Sequence, residues 1–217
     1  PPRNPTSSSG CVVQRWALRS FPAARGAAMT AADDEVVAAT RAWIERAVIG
    51  LNLCPFAKAV YVKERIRYVV TDAAAPDTLL DDLERELQAL AETPAEAVDT
   101  TLLIHPHALD DFLDFNDFLD VAEDAVERLG LDGVLQVASF HPQYRFADTR
   151  ADDVTNCTNR SPYPTLHLLR EASIDAAVAA FPEADEIYLR NMETLRRLGA
   201  AGWAALGLDP ARNTRRK

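Results

Sequence analysis

Between Ile66 and Phe140 the hydrophobic period of the chain switches repeatedly between that of a strand and that of a helix. "RIRYVVTDA" alternates around Ile66, Tyr68 and Val70, which suits a strand exposing opposite faces. "APDTLLDDLERELQALAETP" follows, with Leu79, Leu80, Leu83, Leu87 and Leu90 as a helical stripe between Pro76 and Pro94. "TTLLI" then reads as a buried strand, "LDDFLDFNDFLDVAEDAVERLG" as an amphipathic helix ending at Gly130, and "VLQVASF" as a further strand. Ahead of them, Val36, Val37, Thr40, Trp43, Ile44, Ala47 and Val48 recur at helical spacing from Asp33 to Ile49, with Gly50 at the place of a C-terminal cap. Strands separated by helices of this length pair in parallel through right-handed crossovers. The expectation is a small α/β domain with a mainly parallel sheet of about three strands. Additional helices complete it at both ends, the C-terminal ones being "TLHLLREASIDAAVAAF" and "ADEIYLRNMETLRRLG".

A chain of 217 residues with 48% hydrophobic content can bury one sizeable core, so residues 29–200 are expected to form a single domain. Residues 1–28 contain Pro, Ser and Arg but neither Asp nor Glu. They read either as an organellar leader or, preferably, as an extension ahead of a start at Met29. Residues 201–217 form a short tail that ends in basic residues. The basic ends hide how acidic the body is within a formal charge of −10. Such a body repels phosphate backbones and argues against nucleic acid as a partner. No apolar run reaches the roughly 20 residues that span a bilayer, so no membrane partner is expected. Cys11, Cys54 and Cys157 are odd in number and widely spaced, which fits a reducing, cytoplasmic setting.

Ligands of open parallel sheets bind beyond the carboxyl ends of the strands. One strand ends in "HPH" and the next in "HP", so His105, His107 and His141 are expected on one edge. His105 and His107 are two apart and share a face if the chain stays extended there, as Pro106 encourages. With His141 they would offer three nitrogens to a divalent metal, zinc above all, leaving a position open for water. The alternative is that these histidines cap backbone groups or pack beneath a loop.

Cys54 stands before Pro55, where a short helix would lower a thiol's pKa and make it a nucleophile with His141 or His105 as base; the plainer reading is a small buried residue. Asn52 beside it is a polar orienter or a turn residue. In "TNRSPYPTLHLLRE", Asn159 and Arg160 precede what reads as a helix, so Arg160 could clamp a carboxylate or phosphate, or pair with the acidic body. His167 would lie one turn inside that helix, oriented by Glu171. Arg145 and Tyr144 follow His141 closely and join the same pocket. Asp110, Asp114 and Asp117 read as a solvated helix face. No P-loop, dinucleotide fingerprint or hydrolase elbow occurs.

"AVIGLNLCPFAKAV", "TTLLIHPH", "LQVASFHPQYRFA" and "TNRSPYPTLHLLREASI", in this order, resemble the bacterial domain-of-unknown-function family 1415, from about Trp43 to about Gly199. The resemblance implies a bacterial, cytoplasmic, globular protein and carries over no activity and no catalytic residue. In the turn before the strand "RIRYVV", Glu64 stands where the family pattern would have Gly. The chemistry of the residues points to an enzyme acting on a small anionic substrate, through metal-assisted hydrolysis at the histidines. The alternatives are a cysteine enzyme built on Cys54 and a protein that binds an anionic metabolite or a protein partner without turnover.

Overall fold

The computed structural model describes residues 30–180 and 186–208. The N-terminal extension and the basic end from Arg212 to Lys217 lie outside the described residues.

Helix α1 (Ala31–Trp43) starts at a capping box, in which the Thr30 hydroxyl accepts from the Asp33 amide and the Asp33 carboxylate accepts from the Thr30 amide. It passes into a π-helix, Ile44–Ile49. The single helix expected from Asp33 to Ile49 is thus two helical forms in sequence. Gly50 does not end it as a left-handed cap, because its φ is −62°. Glycine is needed there for space, since a Cβ would lie 2.4 Å from the Arg46 carbonyl oxygen.

After α2 (Ala57–Val62) come β1 (Ile66–Val70), α3 (Pro76–Glu92), β2 (Thr100–Ile104), α4 (Phe112–Arg128) and β3 (Leu135–Phe140), in the expected order. The region expected to be one helix from Thr165 onward divides into a strand, β4 (Thr165–Arg170), and α5 (Glu171–Ala180). Leucines at 166, 168 and 169 suit a helix in isolation. Pairing on both sides of β4 overrides that preference. Helix α6 (Ile187–Ala205) closes the fold, kinked at Gly199, where φ is +69°; it continues past residue 200, and Trp203 packs on the core.

The sheet has four strands in the order β1-β2-β4-β3. β1 and β2 are parallel, whereas β4 is antiparallel to both β2 and β3. The mixed α/β architecture is as expected, but two of the three strand pairings are antiparallel because β4 is inserted between β2 and β3. β2 and β3 still run in the same direction, each being opposed to β4. Their carboxyl ends share an edge, and Ile104 and Phe140 are both in register with Thr165.

Side-chain alternation sends the sheet's residues into two layers. Leu103, Leu135, Leu166 and Leu168 pack with the leucine stripe of α3 and with Phe115, Phe118, Ala122 and Ala125 of α4. Leu102, Ile104, Ile66, Tyr68, Val70 and Phe140 pack in one cluster with Val36, Trp43, Ile44 and Ala47 and with Leu195 of α6. On α4 the acids Asp114 and Asp117 are solvated as expected, and Leu113 is 59% exposed. Among the described residues no helix is long and apolar enough to cross a membrane.

Candidate functional site

His105 follows Ile104 and His141 follows Phe140, so alternation turns both imidazoles from the α1 layer to the α3/α4 layer. With β4 between them, their backbones stand roughly 10 Å apart at the sheet edge. Phe115 of α4 bridges this gap. Its ring stacks on His105 at a centroid distance of 5.7 Å and meets His141 at 5.0 Å. The backbone around both residues remains paired after the strands end, His105 N–H donating to Pro164 and His141 N–H to Asn159.

Residues 108–111, between β2 and α4, fix the imidazoles. The Ala108 carbonyl lies 3.0 Å from His105 Nδ1 and the Leu109 carbonyl 3.1 Å from His141 Nε2. A carbonyl can only accept, so each of these ring nitrogens carries the proton. His141 Nδ1 then accepts from the Gln143 amide at 3.0 Å. Leu109 reaches this position in a left-handed conformation, φ +54°, which is costly for a residue with a branched side chain. His105 Nε2 is buried with no hydrogen-bond partner among the described residues. Both residues have no exposed surface. Burial pushes the His105 imidazole down to about 4, partly offset by the Ala108 carbonyl. The same burial lowers His141, against the opposing pull of the Leu109 carbonyl and of Asp110 and Asp111. Both are neutral at physiological pH.

His107 does not join them. The chain turns after Ile104, and His107 is exposed whereas His105 and Ala108 are buried. Among the described residues no group of three or more His, Cys, Asp or Glu side chains is placed to hold a metal ion. The expected set of three histidines is therefore not assembled: one ring is in solvent and both nitrogens of His141 are already bonded.

Beyond His141 the long turn-rich passage folds back over the edge. Arg160 is its fastener, its Nε donating to the Tyr144 carbonyl at 3.2 Å and its Nη2 to the Ala151 carbonyl at 2.7 Å. The expected helix after Arg160 is β4, so there is no helix N-terminus behind this guanidinium. Asn156, fully buried, ties the passage from within. Its Oδ1 accepts from the Phe146 amide and the Thr149 hydroxyl, and its Nδ2 donates to the Arg150 carbonyl. Asn159 Nδ2 donates to the Ser139 carbonyl at 3.3 Å, which braces the end of β3 beneath His141.

The result is a cleft of about 370 Å³ lined by Phe112, Leu113, Pro142, Arg145 and Arg160, with Asp111 at the start of α4. Asp111 is the N-cap, and its Oδ1 accepts from the amides of Leu113 and Asp114. Arg145 is exposed and makes no hydrogen bond or ion pair with any described residue. Phe112 packs on both His141, at 5.6 Å, and Tyr144, at 5.2 Å. The histidine core thus abuts the cleft floor.

The fold brings together His105, His141, Arg145, Asn159 and Arg160, and leaves the other candidates elsewhere. His167 is in the middle of β4, opposite Leu102 and Ala138 rather than in a helix, and burial pushes its ring down to about 4. It faces the α1 layer, 5.9 Å from Phe140. Cys54 is two residues before the N-cap of the six-residue α2, follows Leu53 of the α1 layer, and is separated by the sheet from His105 and His141. Asn52, left-handed at φ +55°, lines a different cavity. Sequence reasoning missed Asn156, Phe112 and the Ala108 and Leu109 carbonyls. "ALDDF", an Asp ahead of an apolar helical run, was the one available signal for the α4 start.

A family model described as "Protein of unknown function (DUF1415)" matches residues 35–205, from the first turns of α1 to the last residue of α6. The chain belongs to the DUF1415 family. The match takes in both layers of the core, the histidine pair and every residue of the edge cleft of this DUF1415 chain. No curated protein and no solved structure matches it significantly.

Proposed function

We propose that this DUF1415 protein binds a small anionic molecule with an apolar body in the edge cleft, its anionic group against Arg145 and Arg160 and its body on Phe112, Leu113 and Pro142. The observation that carries the reading is Arg145: an exposed guanidinium without a partner among the described residues, on a cleft where Arg160 is the second cation. Asp111 opposes an anion, but its charge is directed at two backbone amides of α4. A volume of about 370 Å³ lies in the range of small-molecule sites.

Binding without turnover is preferred over metal-assisted hydrolysis and over cysteine catalysis. Among the described residues the first of these lacks a third ligand beside His105 and His141, and the second has its thiol across the sheet from them. Titration of benzoate into the full chain by calorimetry tests the reading. Arg145→Gln should weaken binding at least about tenfold with an unchanged melting temperature. Absence of binding by the native chain, or equal binding by Arg145→Gln, would overturn it.

A further inference from the structure

The edge cleft holds a carboxylate as well as guanidiniums, and its two unpaired charges do not meet. Two segments line it: the start of α4 supplies Asp111, Phe112 and Leu113, and the passage after β3 supplies Arg145 and Arg160. Asp111 and Arg145 are both exposed, yet they form neither an ion pair nor a hydrogen bond with each other.

Each stands on backbone that is fixed independently of the other. Asp111 follows the loop whose Ala108 and Leu109 carbonyls are bonded to His105 Nδ1 and His141 Nε2. The left-handed Leu109 is two residues before it, and strain of this kind clusters at ligand sites. Arg145 lies between Tyr144, whose carbonyl accepts from Arg160 Nε, and Phe146, whose amide donates to Asn156 Oδ1. Neither main chain can shift toward the other without breaking these bonds.

The helix cap occupies only one oxygen of Asp111. Oδ1 accepts from the Leu113 amide at 2.7 Å and the Asp114 amide at 3.3 Å, whereas Oδ2 makes no hydrogen bond with any described residue. A carboxylate oxygen can only accept, so Oδ2 takes an N–H donor and repels a second carboxylate. Arg145 has the converse requirement, since a guanidinium offers donors and no acceptor. A ligand that satisfies both carries a carboxylate and a cationic amine. The apolar surface of Phe112 and Leu113 beside them calls for an apolar body on the same molecule.

We propose that the edge cleft takes the zwitterionic head of an amino acid with an apolar side chain. The carboxylate is held by Arg145, the ammonium group by Asp111 Oδ2, and the side chain lies on Phe112 and Leu113. This inference rests on the edge-cleft reading above and narrows its ligand, because a simple carboxylic acid would leave Asp111 Oδ2 unpaired.

Calorimetric titration of the full chain with phenylalanine, and separately with 3-phenylpropionate, which lacks only the ammonium group, tests it. Phenylalanine should bind roughly tenfold more tightly, and Arg145→Gln should weaken both ligands. Asparagine caps a helix as well as aspartate does, so Asp111→Asn should keep the native melting temperature while abolishing the preference for phenylalanine. Equal or tighter binding of 3-phenylpropionate by the native chain overturns the inference, as does an Asp111→Asn variant that keeps the preference or loses both ligands equally. If neither phenylalanine nor 3-phenylpropionate binds but benzoate does, the inference fails and the edge-cleft reading stands. If none of the three binds, both fail.

Discussion

His105 and His141 donate their ring protons to consecutive carbonyls, those of Ala108 and Leu109, from two strands that are not neighbours in the sheet. One short loop therefore locks the tautomer of both rings, and Phe115 fills the space between them. The pair joins the ends of β2 and β3 across β4, which makes it the keystone of the edge on which the cleft is built.

Stability should fall on mild acidification. His105 and His167 are lowered in the folded state to about 4, and His141 is lowered too, against an unfolded value near 6.5. The unfolded chain then binds more protons than the native one below about pH 6.5, so the stability these residues contribute is complete above that pH and is lost toward pH 4. His105 alone should account for a loss of roughly 2 kcal/mol by pH 5, and the partly exposed His167 for less. Urea denaturation at pH 7.5 and pH 5 measures it. His105→Gln should flatten the dependence, and a flat profile in the native chain would refute the neutral burial of these rings.

Zinc should not stabilise the folded protein. His107 is exposed, and His141 has both nitrogens engaged, so among the described residues no nitrogen set converges on one ion. Melting temperature measured with and without a stoichiometric excess of zinc is expected to be the same. A rise that His105→Gln abolishes would show that the rings rearrange into a ligand set.

Arg160 and Arg145 should separate stability from binding. Replacing Arg160 by Gln leaves the Tyr144 and Ala151 carbonyls without their donor, at a cost of about 1–3 kcal/mol. Asn156→Ala should cost at least as much, since the Phe146 amide, the Thr149 hydroxyl and the Arg150 carbonyl all lose a partner at a fully buried position. Arg145→Gln should stay within about 0.5 kcal/mol of the native chain. Chemical denaturation ranks the three, and faster hydrogen exchange across residues 144–151 should accompany the first two only.

Glu64→Gly should stabilise the chain. Glu64 is exposed and left-handed, with φ +54°, in the turn that leads from α2 into β1. Relief of that conformation is worth about 1 kcal/mol, reduced by the greater freedom glycine has when unfolded. The midpoint of urea denaturation should rise. A lower midpoint would mean that the Glu64 side chain makes a contact worth more than the strain.

Much of this fold was legible in the sequence. Leu79, Leu83, Leu87 and Leu90 are all buried on α3 as their spacing demands, and "TTLLI" is a strand buried along its whole length. The placing of His105 and His141 on one edge followed from strand direction alone. "TLHLLR" was misread because Leu-rich segments satisfy a helix and a central strand equally, and only the neighbours on both sides of β4 choose between them. His107 was misread for a related reason, since the pairing of residues two apart holds only while the chain stays extended.

The sequence by itself determined the alternation of elements, the two-faced sheet and the shared edge, because those depend on the period of apolar residues and on the direction of successive strands. The tertiary structure alone decided which polar groups meet there. Arg160 fastens backbone carbonyls 9 and 16 residues away, and His141 finds a carbonyl 32 residues away. Such bonds depend on how the turn-rich passage folds back over the edge, and loops carry no hydrophobic period from which that path can be read.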